Sequence, residues 1–449
     1  MQRAIAIYLT REMAILGLVE AVLSFTAIYT VVTLPGAAAA LPTFIYSLSR
    51  DNFGRAAVLT LAAGAVGLMI GLYRTDVCLD RKRLVTTTGL AAAFAFAFLL
   101  ALRIDPNSGF STAHALFIAK LLGVWLITMT LIRLVYGVTA RQTVPVRRIL
   151  LLGDPHQANS FSARLRTRRG GLFDPVVLHS PEVSWPELKQ NRIWGVVVAT
   201  EPQGPLLSPL LDCKMRGMRI LSLAEFHENY LARIDLDKLT ANDLLTTHGF
   251  AIGHLTSMLK RLSDIVIGLF LLLLMLPLMA LTALAIKIDS SGPILYRQQR
   301  VGEFNKPFTL FKFRSMTADA EAGGNPIWAQ HHDPRVTRVG RFIRATRIDE
   351  LPQLVNVLRG EMALVGPRPE RPHFVEQLAR AIPFYRQRSY VKPGVTGWAQ
   401  INFPYGASVE DAREKLAYDL YYVKHRSLVL DALILLSTVR VVLLREGAR

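Results

Sequence analysis

Ile265–Ile286 reads IVIGLFLLLLMLPLMALTALAI. How this run meets a membrane decides the arrangement of the whole chain. It is as long as the roughly 20 apolar residues that a membrane helix needs. A full crossing would carry everything downstream to the opposite face. Both flanks are basic, however, with Lys260 and Arg261 before it and Lys287, Arg297 and Arg300 after it. Such residues mark a single side of the bilayer. Pro277 stands near the middle, where it removes a helix hydrogen bond and kinks the chain. The reading is therefore a re-entrant helix over 265–286 that bends at Pro277 and returns to the face it left. An ordinary proline-kinked span is the competing reading.

Working upstream, four further apolar blocks appear: Met13–Leu34, Ala56–Tyr73, Leu84–Leu102 and Ala113–Ile132. Each is close to the length of a span, which predicts a four-helix transmembrane bundle over 1–140. Arg3 and Arg11 precede the first block. Arg74, Arg81, Lys82 and Arg83 separate the second from the third, and Arg133, Arg141, Arg147 and Arg148 follow the fourth. The positive-inside rule then places the N-terminus and everything after the fourth block in the cytoplasm. Glu20 and Lys120 lie inside blocks, where packing within the bundle is the expected role, with snorkelling the alternative for Lys120, seven residues into its block. No cleavable signal peptide is read at the N-terminus.

Between the bundle and the re-entrant run, 141–245 alternates short apolar runs with polar stretches. Arg147–Gly153, Val176–Leu178, Trp194–Ala199 and Arg219–Leu223 read as buried strands with helices between them. This predicts a small parallel, Rossmann-like α/β module. Gly153-Asp154-Pro155 follows the first strand where a nucleotide-binding turn would lie. The G-x-G-x-x-G pattern is absent, so a structural or regulatory module is expected. The closing run Leu428–Leu444, interrupted by Asp431 and Arg440, reads as an interfacial helix.

The 449 residues carry a formal net charge of +18 and only two cysteines, Cys78 and Cys213. The cysteines build neither a disulfide framework nor a metal cluster. No nucleic-acid-binding signature accompanies the charge, so phosphates and membrane lipid headgroups are the expected partners. His331, His332 and Asp333 read as a polar loop.

The chemistry concentrates in Arg344–Glu370, RATRIDELPQLVNVLRGEMALVGPRPE. Leu351, Leu354, Val355 and Leu358 have helical spacing, and Pro352 is tolerated only near a helix start. Asp349 and Glu350 therefore sit at the helix N-terminus, where free N–H groups and the dipole favour anions. A cap needs one carboxylate, not two. Arg344 and Arg347 lie upstream and Arg368 lies in a Gly-Pro-Arg-Pro turn downstream. Carboxylates among arginines suit a magnesium diphosphate substrate, and an Asp can attack phosphorus to form an acyl phosphate.

With these residues in view, Leu259–Arg445 closely resembles the bacterial sugar transferases, polyprenyl-phosphate phosphoglycosyl transferases with a re-entrant membrane helix. The resemblance rests on ordered motifs: KFRSM from Lys312, DELPQL from Asp349, NVLRG from Asn356, VGPRP from Val365, KPGVTGWAQ from Lys392 and DLYYVK from Asp419. The four spans and the α/β module resemble the larger members, and the exopolysaccharide type matches best. The resemblance implies a mostly α-helical catalytic domain over 255–449 at the cytoplasmic face of the bacterial inner membrane. Asp349 would attack the sugar-bearing phosphate of a nucleoside diphosphate sugar, with UDP as the expected carrier. Undecaprenyl phosphate would then take the phosphosugar, as the first membrane step of exopolysaccharide synthesis. Glu350 matches the second carboxylate, a ligand for Mg2+. Arg344, Arg368 and Lys312 match phosphate-binding positions, and Trp398 and Gln400 lie in a segment expected to bind the nucleotide or to shape its loop. Its likeness to the large members also implies a homodimer as an expected arrangement. Leu276-Pro277 departs from the family's frequent Ser-Pro, which removes one hydroxyl partner for the freed carbonyl.

Two rival readings exist. A membrane nucleotide-sugar dehydratase or epimerase needs an intact glycine fingerprint and a Tyr-x-x-x-Lys pair, and this sequence has neither. A non-enzymatic scaffold of a polysaccharide assembly complex is the other.

Overall fold

The computed structural model describes residues 11–33, 51–70, 112–143, 147–154, 173–177, 184–200, 204–247, 253–317, 335–403 and 408–443, with shorter pieces between them. Most of Leu84–Leu102, Cys78, Pro155 and His331–Asp333 lie outside the described residues. The chain divides into two compact units, 5–229 and 230–449.

The first unit opens with helices α1 (Arg11–Val32), α2 (Asn52–Ile70) and α3 (Thr112–Thr143). Both α2 and α3 pack on α1. Their shared core includes Ile28, Val32, Ala56, Leu59, Ile118, Trp125 and Met129. Glu20 on α1 pairs with Arg133 on α3, Nε to Oε1 at 2.6 Å, and both side chains are 1% exposed. Each buried charge is thus compensated by the other, as an apolar surrounding requires. Lys120 lies exposed on the outer surface of α3 instead of packing inside.

The α/β module follows: β1 (Arg147–Leu152), β2 (Phe173–Val177), α4 (Trp185–Gln190), β3 (Ile193–Val198), α5 (Leu207–Met215), β4 (Arg219–Ser222) and α6 (Leu223–Tyr230). The strands form one sheet in the order β2-β1-β3-β4, and every pairing is parallel. Ile149 through Leu152 are all buried. That unbroken apolar run is what a strand covered on both faces requires.

The second unit begins with α7 (Ala241–Thr246) and then α8 (His254–Asp289), 36 residues long. Pro277 lies inside α8, and helical backbone continues on both sides of it. Only 11% of the helix is buried, and the leucines around Pro277 are exposed. Within α1, α3 and α8 lie three segments long and apolar enough to cross a membrane, Ile15–Val32, Leu116–Tyr136 and His254–Asp289; an apolar surface of this extent identifies a membrane protein.

Both ends of α8 are tied to the same body of residues. Near its start, Lys260 Nζ meets Asp431 Oδ2 at 2.6 Å, and Asp264 Oδ1 accepts from the Leu364 amide at 3.1 Å. Near its end, Ile286 packs with Phe313 and Ile343, and Asp289 Oδ2 accepts from the Val339 amide at 3.0 Å.

That body comprises the antiparallel hairpin β5 (Leu295–Val301) and β6 (Pro307–Phe313), α9 (Arg338–Ala345), α10 (Gln353–Arg359), β7 (Ala363–Val365), α11 (Pro372–Ala381), β8 (Gly394–Thr396), α12 (Trp398–Asn402), α13 (Val409–His425) and α14 (Leu428–Leu443). β7 and β8 pair in parallel. The sequence suggests an interfacial α14 because Asp431 interrupts its apolar run. In the structure Leu430, Asp431 and Ile434 are buried. Asp431 accepts from Lys260 at 2.6 Å and from the Tyr422 hydroxyl at 2.8 Å. The interrupting charge is an internal ion-pair partner, not the mark of a polar face.

Candidate active site

Asp349 and Glu350 occupy a single 3-10 turn, Ile348–Glu350, between α9 and α10. Arg347 precedes it with φ +60°, a left-handed conformation that costs a residue with a side chain about 1–3 kcal/mol. It ends α9 and starts the turn, and the Glu350 amide donates to the Arg347 carbonyl at 3.1 Å.

The turn is held from both sides. Asn356, fully buried on α10, donates to the Thr309 carbonyl and to Glu361 Oε2, each at 2.7 Å. It also accepts from the Phe311 amide at 3.2 Å. One side chain therefore fixes α10 to β6, the strand that carries Lys312. From α8, Arg261 donates to the Val357 and Leu358 carbonyls at 2.7 and 2.8 Å, satisfying helix-end acceptors. The face that α10 buries holds Gln353, Leu354, Asn356 and Val357. Leu351, Val355 and Leu358, chosen by sequence spacing, are half-buried; tertiary packing rotates the stripe by about one residue.

Arg368 enters from the opposite side, in the turn after β7. The VGPRP and KPGVTGW motifs form one close approach of two backbones. The Gly366 amide donates to the Thr396 carbonyl and the Gly394 amide to the Pro367 carbonyl, each at 2.9 Å. A Cβ at Gly366 would lie 2.3 Å from the Lys392 carbonyl, so only glycine fits. Two further arginines hold the turn. Arg388 pairs with Asp419 at 2.7 Å and donates to the Arg368 carbonyl at 2.9 Å, and Arg300 donates to the Pro369 carbonyl at 3.1 Å. The sequence reads Arg300 only as a flanking charge and passes over Arg388. A signal was present, since Asp419 falls in the run Leu416–Val423, all of it buried, and a buried acid demands a cation. Which arginine answers it is set by the fold.

Glu350 collects the cations. Arg368 Nη2 reaches its Oε1 at 2.6 Å and Nη1 its Oε2 at 3.5 Å. Lys312 Nζ and Arg347 Nη1 each stand 3.4 Å from Oε1. Burial alone would raise the Glu350 carboxyl, but Arg368, Lys312 and Arg347 override it and hold the group well below the usual carboxylate range. Asp349 next door has the opposite fate. Its Oδ1 is buried without a hydrogen-bond partner. Burial, and then the charge on Glu350, push its carboxyl up to about 6. Burial also lowers the Lys312 ammonium, against the pull of Glu350. Two adjacent carboxyls driven in opposite directions mark a division of roles.

The structure thus gathers Asp349, Glu350, Lys312 and Arg368, and adds Arg347. Arg344 lies in the last turn of α9, half-buried. Its side chain makes no hydrogen bond or ion pair among the described residues. Trp398 is 2% exposed, stacks on Tyr421 and donates to the Ala232 carbonyl at 2.8 Å. That geometry shapes a loop and leaves no ring face open to a base. Gln400 is half-buried, its Nε2 on the Val395 carbonyl at 3.2 Å and its Oε1 unpartnered.

The donor set can be weighed for magnesium. No group of three or more His, Cys, Asp or Glu side chains that could hold a metal occurs among the described residues. Magnesium on a diphosphate needs only one or two carboxylates, with phosphate and water completing its shell. The orphaned Asp349 Oδ1 and the loosely held Glu350 Oε2 fit that mode.

A model of the family described as bacterial sugar transferase matches residues 255–445. The chain is 42% identical over 288 residues to a UDP-N-acetylgalactosamine-undecaprenyl-phosphate N-acetylgalactosaminephosphotransferase of Aeromonas hydrophila, covering 62% of this chain and 67% of that one. It is 40% identical over 206 residues to a UDP-glucose:undecaprenyl-phosphate glucose-1-phosphate transferase of Escherichia coli, covering 45% of this chain and 44% of that one. It is 50% identical over 144 residues to a putative undecaprenyl-phosphate N-acetylgalactosaminyl 1-phosphate transferase of Bacillus subtilis, covering 31% and 80%. The match therefore spans less than half of the second relative and most of the third. On these grounds the chain belongs to the bacterial sugar transferase family and is an enzyme of that class.

Proposed function

We propose that this protein transfers a sugar 1-phosphate from a UDP-sugar to undecaprenyl phosphate at the cytoplasmic face of the inner membrane, as the first membrane step of exopolysaccharide synthesis. The observation that carries the reading is the split pair: Asp349 with a free buried oxygen, beside a Glu350 clamped by Arg368, Lys312 and Arg347.

In the first step an Asp349 carboxylate oxygen attacks the phosphorus that bears the sugar. The Asp–O–P bond forms, the bridging P–O bond breaks, and its electron pair leaves with UMP. In the second step a phosphate oxygen of undecaprenyl phosphate attacks the same phosphorus. The Asp–O–P bond breaks, the carboxylate is regenerated, and a lipid diphosphate sugar departs. Displacement at phosphorus needs positioning and charge neutralisation more than proton transfer. A raised pKa near 6 leaves Asp349 mostly ionised at neutral pH while making it a stronger nucleophile. Arg368 offers bidentate phosphate contacts. Its bond to Glu350 keeps the guanidinium in place until substrate arrives. Lys312 supplies a further charge. Magnesium, held by Glu350 together with substrate phosphate, would neutralise the diphosphate.

The re-entrant reading of α8 has its own support. A straight helix of this length spans about 54 Å, yet Lys260 and Asp264 near one end and Asp289 at the other bond to one and the same body. A crossing would part these contacts across the bilayer.

The test is incubation of purified protein with radiolabelled UDP-sugars, magnesium and undecaprenyl phosphate. UMP release and lipid-linked label are expected. With UDP-sugar alone, mass spectrometry should find a sugar phosphate on Asp349. Neither product across a panel of sugars would favour the scaffold.

A further inference from the structure

The α/β module is polarised along its strands. In a parallel sheet all strands start at one edge, and the helices before them end there. At that edge Lys189 ends α4, Arg192 precedes β3 and Lys214 ends α5. All three are exposed and have no acidic partner among the described residues. Arg148 and Arg216 add charge there, partly matched by Asp174 and Asp212. The opposite edge is acidic, with Asp154 after β1 and Glu225 after β4, both exposed.

Cations at helix ends offset helix dipoles, which is reason enough for Lys189 and Lys214. It is no reason for the stack beside them. Arg147, opening β1, and Arg219, opening β4, place their guanidiniums 5.0 and 4.7 Å from the ring centre of Trp194. Cation–π contact holds both charges in fixed positions, around the residue type that settles at headgroup depth. Met215, 86% exposed, adds an apolar side chain at the same edge. The chain also fixes where this edge can go. α3, which holds a span ending at Tyr136, stops at Thr143, and β1 starts at Arg147. The seven α3 residues past the span rise about 10 Å and four peptide steps add at most about 14 Å, so Arg147 stays within about 25 Å of the span's end.

We propose that the strand-start edge of the α/β module is a docking surface for anionic phospholipid headgroups, seated on Arg147–Trp194–Arg219, Lys189, Arg192 and Lys214. The edge that the span tethers to the bilayer is the basic one, and the acidic edge faces away. This rests on the membrane spans and not on the proposed reaction.

The test uses the full chain in nanodiscs of phosphatidylcholine, with or without about 30% phosphatidylglycerol, read by hydrogen–deuterium exchange. Amides of 189–192 and 214–218 should exchange about tenfold slower in the anionic discs, with 222–228 unchanged. About 0.5 M salt should erase the difference. So should the triple variant K189Q/R192Q/K214Q, whose fold is checked by unchanged protection of β1 and β3. Equal exchange in both discs overturns the proposal. So does protection that follows the number of copies per disc, which would assign the edge to a second copy. Protection by inorganic phosphate in phosphatidylcholine discs would also overturn it, in favour of a free anion.

Discussion

Two turns in this molecule begin alike. Leu152-Gly153-Asp154 leaves β1, and Val365-Gly366-Pro367-Arg368 leaves β7; both strands are short, buried and paired in parallel. Both glycines are imposed by crowding from the next chain segment. A Cβ at Gly153 would lie 2.8 Å from Ala199 Cβ, and one at Gly366 lies 2.3 Å from the Lys392 carbonyl. Their surroundings then diverge. Around Gly366 the fold brings Arg368, Lys312, Arg347 and two carboxyls together. The charge after Gly153 is Asp154, which is exposed. A glycine turn after a strand is a steric requirement, and chemistry depends on what distant segments add to it.

The largest effect should come from the residue that most separates the two turns. Asp349→Asn should lower transfer by about 10⁴-fold and abolish the phosphosugar adduct. Near-normal turnover in this variant would be incompatible with Asp349 as nucleophile. Gly366→Ala moves the backbone that carries Arg368, and a shift of that size costs about 10²-fold in kcat. If UMP release were unaffected, the turn would not position chemistry.

A smaller effect follows from pH. The nucleophile must be ionised and its carboxyl is pushed up to about 6, so kcat/KM should fall about tenfold per unit below that value. A flat profile down to pH 5 would refute the raised pKa. The smallest change in activity is expected at the other turn. Gly153→Ala strains a residue at φ +145° and should destabilise the module by about 1–3 kcal/mol. Transfer by the folded fraction should stay within about twofold, measured as labelled lipid per active site titrated with UDP-sugar.

Much of the site was legible because its residues are close in sequence. Asp349, Glu350 and Arg368 fall within 20 residues. Lys312 was reached through motif order. Arg388 and Arg300 were not, because each acts through a backbone carbonyl, and a carbonyl leaves no mark in the sequence. Trp398 shows the converse. Its motif left nucleotide binding and loop shaping both open, and burial with the bond to the Ala232 carbonyl fits loop shaping. Lys120 was expected inside the bundle and lies on its surface, since a long side chain on an outer helix face can keep its charge exposed.

By itself the sequence determined what periodicity and length control: apolar helices fit for a membrane, a parallel α/β module, and a carboxylate pair among arginines. These depend on nearest neighbours and on the fixed rise of helix and strand. Only the tertiary structure decided that Glu350 is the carboxylate locked by three cations and Asp349 the one left with a free oxygen. The two residues have the same charge and occupy one turn. What distinguishes them is the position of Lys312 and Arg368, brought by β6 and by the turn after β7, and no local pattern encodes the distance across that gap.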